Sequence, residues 1–221
     1  MARIYTDPQT GRELPSVTTI LDATMSGESR AKLGMHYANN ANAFMQNAES
    51  QRRGNQVDAW AKAFLLGQDL PVVDHQFNPW KRQLQPLLEF ITGSTRAIFC
   101  DRIVYDRTRG YAGTLDFVAA IEGQLTVFDI KTKTRIWQPA IADALLQVTA
   151  YKEAMETEGY VVGAIAVVVV TDRQQQVFRV DDPSELAALS QAWAMRLQQY
   201  GVGGDGDEFV DDDPTLSFSY E

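Results

Sequence analysis

Apolar residues along the chain change their spacing several times, and each change marks an expected element. Residues 1–13 carry no sustained alternation, only the turn signals Asp7-Pro8 and Gly11, and read as a strand-poor lead-in. Pro15-Ser16-Val17-Thr18 opens a helix, with Ser16 placed to cap its first N–H groups; hydroxyls at such a terminus also suit a phosphate, and both readings stand. Residues 29–51 read as one weakly amphipathic helix with Leu33, Tyr37, Phe44 and Met45 inward. Arg53-Gly54 opens a further helix, RGNQVDAWAKAFLLG, with an inward stripe of Val57, Ala61, Phe64 and Leu65. Asn78 and Pro79 cap and start a helix that reaches about Ile91, with a kink expected at Pro86. His36 and His75 lack ligand-type spacing and take structural or surface roles.

The second half turns to period two. Residues 97–105 read as one strand, which 106–110 turn into the run YAGTLDFVAAIEGQLTVFDIKTK at 111–133, a hairpin about Glu122-Gly123. A helix follows Trp137-Gln138-Pro139 to about Glu158, and the apolar run 161–170 suits a strand buried on both faces. A short strand at 177–180 precedes a last helix, started by Asp182, Pro183 and Glu185, with Leu186, Leu189, Trp193, Leu197 and Tyr200 inward. The order αααβββαββα describes one α/β domain over residues 1–200, with a helical part at 15–92 and a sheet-bearing part at 97–200.

The hairpin carries the chemistry. A two-residue loop makes Ile121 face Gln124, sets Asp116 opposite Asp129, and leaves Lys131 on the face of Asp129. Opposed carboxylates repel unless a divalent cation lies between them, and Mg²⁺ or Mn²⁺ suits such oxygen donors. The spacing also allows a solvated hairpin whose aspartates only keep a sheet edge soluble. The preceding turn brings Asp101 within one register step of Asp116. Gln147 and Tyr151, four apart, share a helical face and can point together at the same edge.

Charge changes the picture once it is located. The formal net charge of −9 suits a phosphate-binding protein poorly, but seven acids and no base lie from Gly201 onward, which leaves 22 acids against 20 bases in the body. That tail, residues 201–221, reads as a disordered acidic segment that competes with DNA as an intramolecular mimic or engages a protein partner; a merely solubilising tail is the other reading. Trp80, Lys81 and Arg82 place an aromatic beside two bases, fit either to stack a base and hold phosphates or to form a half-buried Trp among solvated charges. Arg102, Arg107, Arg109, Lys133 and Arg135 are expected to border the site with positive charge. The single cysteine, Cys100, excludes an internal disulfide and a four-cysteine iron–sulfur cluster. Met1 leads straight into polar sequence and 161–170 is too short to span a bilayer, so the expected location is the cytoplasm.

GTLD at 113–116 followed by DIK at 129–131 resembles the core of the PD-(D/E)xK nucleases, and QVTAY, with Gln147 and Tyr151, looks like the QxxxY element of the RecB-like branch. LPSVTTIL at 14–21 is similar to the opening motif of the mitochondrial genome maintenance exonuclease family and its phage and bacterial relatives. The resemblance covers roughly residues 12–180. It implies a restriction-endonuclease-like core, a mixed sheet flanked by helices, and a metal-dependent DNA exonuclease acting on single-stranded ends in replication, repair or recombination. Asp116, Asp129 and the main-chain carbonyl of Ile130 would hold one or two Mg²⁺ or Mn²⁺ ions. Lys131 would orient the attacking water, while Gln147 and Tyr151 position it, the lysine or the phosphate. RGNQVD resembles the family's RGTxxH helix, whose histidine is a metal ligand; Asp58 stands at that position, as a ligand or as a solvated residue. Asp101 matches a position where relatives often carry Glu, an accessory ligand. The expected DNA contacts are Ser16, Thr18, Arg53, Trp80, Lys81, Arg109, Lys133 and Arg135. The alternative is a nuclease-fold module that has lost catalysis and binds nucleic acid or a protein partner.

Overall fold

The N-terminal segment forms a hairpin, β1 (Ile4–Thr6) with β2 (Glu13–Pro15), where the sequence pattern led to expect a strand-poor lead-in. Strands of three residues are too short to show a period, and a distant partner holds this one: buried Asp7 takes two hydrogen bonds of 2.9 Å from the Arg107 guanidinium. In this computed structural model the described residues are 2–95 and 98–202. The side chain of His36 and the acidic segment from residue 203 lie outside them, and so do the readings made of each.

Four helices come next: α1 (Val17–Ala23), α2 (Gly27–Asn39), α3 (Ala43–Leu66) and α4 (Asn78–Ser94). The boundary between the second and third differs from the expected one. The chain breaks at Asn40, whose side-chain oxygen accepts from the Asn42 N–H at 3.0 Å, and then runs as one helix through Arg53-Gly54. Arg53 sustains that continuity because its side chain is buried, donating to the Thr132 carbonyl and lying over the Trp80 ring. Leu33 on α2 and Phe44 and Met45 at the start of α3 are exposed rather than inward; α2 packs mainly against α3, where the Tyr37 and Phe44 rings meet with centres 5.2 Å apart. Asn78 is not the cap of α4: a 3-10 turn at His75–Phe77 leads in, and Phe77 occupies the capping position. Pro86 lies inside α4, which continues past it.

Five strands form the main sheet, ordered β3 (Ile98–Cys100), β6 (Phe117–Ile121), β7 (Gln124–Thr132), β8 (Val162–Val170) and β9 (Gln175–Val180). Only β7 and β8 run parallel, and α5 (Gln138–Thr157) is the crossover between them. Two further strands, β4 (Ile103–Asp106) and β5 (Tyr111–Thr114), make a separate ribbon, and α6 (Pro183–Tyr200) closes the described chain. The single strand expected at 97–105 is therefore two, because Asp101 adopts a positive φ of 54° and breaks it opposite the break at Leu115-Asp116.

Side chains alternate across the sheet into two cores. Val118, Val127, Val167 and Val169 pack with α1, α5 and α6, including Trp193 and Leu197; Phe117, Phe128, Ile130 and Val168 pack with α3 and α4. The fold is thus a mixed α/β architecture, a sheet flanked by helices on both faces. No helix among the described residues is long and apolar enough to cross a membrane.

The β6–β7 register is the expected one: Ile121 pairs with Gln124 and Phe117 with Phe128, whose rings stack 4.5 Å apart. Glu122 and Gly123 have φ of 51° and 81°, the two positive angles of a type I′ turn. Glycine accepts this freely, whereas Glu122 does not. Glu122→Asn should therefore stabilise the protein by about 0.5–1 kcal/mol in urea unfolding; a loss of stability would show that this turn does not carry the strain.

Candidate active site

Because β6 begins only at Phe117, the end of β7 past Phe128 has no ladder partner on that edge. The Asp116 carboxylate takes the vacant place, its Oδ2 accepting from the Ile130 N–H at 2.8 Å. Asp101 is tied to the same corner, its N–H donating to the Asp116 carbonyl at 3.1 Å. Buried Asp129 lies beside Asp116 on β7, one residue before Ile130. This break in the sheet lets side chains arrive from both helical layers.

From the α5 side, Lys131 Nζ donates to Asp129 Oδ1 at 3.0 Å and to Gln147 Oε1 at 2.9 Å, and Gln147 Nε2 donates to the Tyr151 hydroxyl at 2.8 Å. The face shared by Gln147 and Tyr151 thus meets the hairpin. Tyr151 also explains the glycine of GTLD: a Cβ on Gly113 would lie 2.4 Å from the Tyr151 ring. From the α3 side come Asp58 and a residue the sequence reading passed over, Lys62. Lys62 Nζ lies 2.7 Å from Asp58 Oδ2, 2.5 Å from Asp101 Oδ1 and 3.9 Å from Asp116 Oδ1. The four-residue spacing of Asp58 and Lys62 was the available signal, but it looks like any surface helix pair.

Burial, then the charges of Asp129 and Asp58, push the Asp116 carboxyl up to about 7, against the Ile130 N–H and Lys62. Asp58 is raised for the same first reason, burial, which outweighs its pair with Lys62. Burial opposes the charge on Lys131, yet Asp129 and Asp116 hold its pKa above the ordinary lysine value, so it stays an ammonium. Two buried oxygens, Asp129 Oδ2 and Asp58 Oδ1, have no hydrogen-bond partner. Lys131 Nζ does approach Asp129 Oδ2 to 3.0 Å, but as an ion pair without the direction of a hydrogen bond. Crowded, under-satisfied carboxylate oxygens are donors suited to a hard divalent cation. Among the described residues no three Asp, Glu, His or Cys side chains form a ready metal-binding group; the Lys62 ammonium stands among them.

The remaining candidates separate into two sets. Arg109 pairs with buried Asp106 at 2.7 Å and with Glu153, Arg102 with Glu158 and Tyr160, and Arg107 with Asp7, so these three expected border bases are committed to internal ion pairs. Ser16 is a buried cap whose Oγ accepts from the Thr19 N–H at 3.0 Å, with its hydroxyl also shared with Thr18 and Thr19. Lys81 lies over Trp60, 5.2 Å from the ring centre. Trp80 donates its indole N–H to the Lys133 carbonyl at 2.8 Å, so Arg53 and Trp80 together clamp the end of β7.

Lys133 and Arg135 instead line open space. A cavity of about 400 Å³ runs between Lys131, Lys133, Arg135 and Trp137, and adjoins one of about 290 Å³ reaching Thr18 and Gln147. A third, of about 650 Å³, extends from Arg135 past Trp80 to Arg173. Lys133 is pushed below the usual lysine value by the enclosing protein and then by Lys131 and Arg53, a crowding of cations that an anion would relieve. Trp137, half exposed here, was read from sequence only as the start of a helix.

The raised Asp116 pKa has a signed consequence. A carboxyl whose folded pKa exceeds its unfolded one stabilises the fold below the unfolded value and loses that contribution as pH rises to the folded value. In metal-free protein the melting temperature of the native chain relative to Asp116→Asn should fall from about pH 4 to about pH 7 and level off above; a flat difference would deny the crowding. Gly113→Ala should cost about 1–3 kcal/mol, as forced overpacking against Tyr151 does, and native stability in urea would contradict that packing.

No protein-family model and no curated protein matches the sequence. Among solved structures the chain is similar to a proposed exonuclease from Eubacterium rectale, at 12% identity and a TM-score of 0.46, over 68% of this chain and 64% of that one. It is also similar to a phage-related exonuclease from Haemophilus somnus 129PT, at 13% identity and a TM-score of 0.32, over 66% of this chain and 79% of that one. This chain thus spans a little under two thirds of the Eubacterium rectale protein.

Proposed function

We propose that the protein is a metal-dependent DNA exonuclease that hydrolyses phosphodiester bonds from single-stranded ends, using Mg²⁺ or Mn²⁺. The observation that carries this reading is the buried Asp129 oxygen without a hydrogen-bond partner, set beside the crowded Asp116 carboxyl at the open edge of the sheet. Asp116, Asp129 and the Ile130 carbonyl would hold the ion. When bound, such an ion supplies Lewis acidity toward a phosphoryl oxygen and lowers the pKa of a coordinated water.

The chain's own residues supply the rest. Lys131, kept protonated, orients the attacking water and offsets negative charge building on the phosphoryl oxygens. Gln147 fixes the Lys131 ammonium and is itself fixed by Tyr151, so the lysine points one way before substrate arrives. Lys133 and Arg135 attract the phosphate backbone into the groove, and the exposed Trp137 offers a stacking face beside them, which favours a single strand with accessible bases. No covalent enzyme intermediate is required.

One observation favours a second reading. Lys62 already pairs with both Asp58 and Asp101, as it would in a binding module that no longer takes metal. End-labelled single-stranded DNA, incubated with Mg²⁺, Mn²⁺ or a chelator, separates the two. Shortening that requires metal and falls at least ~10²-fold in Asp116→Asn, Asp129→Asn and Lys131→Ala is expected. Binding without cleavage under every metal condition would establish the module instead.

A further inference from the structure

Building on the metal-dependent reading, we propose that Lys62 fills one of two cation positions in the carboxylate cluster, so that the site takes a single divalent ion. Four carboxylates, Asp58, Asp101, Asp116 and Asp129, share the sheet break with two ammonium groups, Lys62 and Lys131. With all six ionised the cluster has a net charge of −2, the charge one divalent cation cancels.

The geometry divides the cluster unevenly. Lys62 bridges Asp58 and Asp101 directly and reaches Asp116 only at 3.9 Å. On the other side, Asp129 is 1% exposed and its Oδ2 has no hydrogen-bond partner, so the unsatisfied donor points to an ion between Asp116 and Asp129. Lys62 is itself nearly buried at 9% exposure, and its α3 backbone anchors the ammonium where an ion on Asp58 and Asp101 would have to sit. A second ion must therefore evict a buried ammonium and face the first across the shared Asp116, and both steps oppose its binding. A mobile solvated lysine would present no such barrier.

The test counts ions on metal-free, full-length protein by titrating Mn²⁺ and reading free Mn²⁺ by electron paramagnetic resonance. One ion per chain is expected for the native protein. Lys62→Gln, checked for folding by circular dichroism, should take two, with the second held at least ~10-fold more tightly than any further ion on the native chain. The double change Lys62→Gln with Asp58→Asn restores the native cluster charge and should return the count to one, which keeps the test decisive should the single variant not fold. Two ions on the native chain or on the double variant, or one on folded Lys62→Gln, would overturn the role of Lys62 while leaving the metal-dependent reading intact. No bound Mn²⁺ on the native chain would instead overturn that reading, and this inference with it.

Discussion

The repulsion between two aspartates forced together by one hairpin governs this part of the molecule. Like unit charges about 4 Å apart in surroundings of effective dielectric near 20 repel by roughly 4 kcal/mol. The β6–β7 ladder ends at Phe117 and Phe128, and the Ile130 N–H then holds the Asp116 carboxylate against β7, next to Asp129. Nearby groups instead act against the repulsion: the Ile130 N–H on Asp116, Lys131 on Asp129, and Lys62 at the margin. Even so the Asp116 carboxyl remains strongly raised and one buried Asp129 oxygen lacks a hydrogen bond.

Placement of that site follows from where the strands stop. Inside the five-stranded sheet β7 is paired on both sides up to Phe128, but β3 and β6 end together at Cys100 and Phe117 while β7 runs on to Thr132. The uncovered end of β7 is where α5 brings Gln147 and Tyr151 from one layer and α3 brings Asp58 and Lys62 from the other. Beyond it the same strand leads to Lys133 and Arg135 in the groove, so a cationic track begins where the carboxylates end.

Much of this was legible because it rests on short-range rules. A two-residue turn and a period of two determine which hairpin residues face each other, and a spacing of four places Gln147 over Tyr151. What was not legible depends on partners distant in sequence. The break at Asp101 needs a matching break near Asp116, β1 and β2 need Arg107 to hold their turn, and α3 runs through Arg53-Gly54 because Thr132 and Trp80 lie beside it. Charges misled most: Arg109 looks like a free base until Asp106 and Glu153 are found against it, whereas Lys62 looks like a surface lysine until the sheet closes over it.

Asp116 and Asp129 are proposed to form a divalent-cation site. Crystals of the protein equilibrated with Mn²⁺, with diffraction recorded for anomalous signal, test it most directly. An anomalous peak bounded by Asp116, Asp129 and the Ile130 carbonyl, with Lys62 still on Asp58 and Asp101, is the predicted result. Saturating Mn²⁺ with no peak there, or with Asp129 Oδ2 pointing away from the only bound ion, would contradict it.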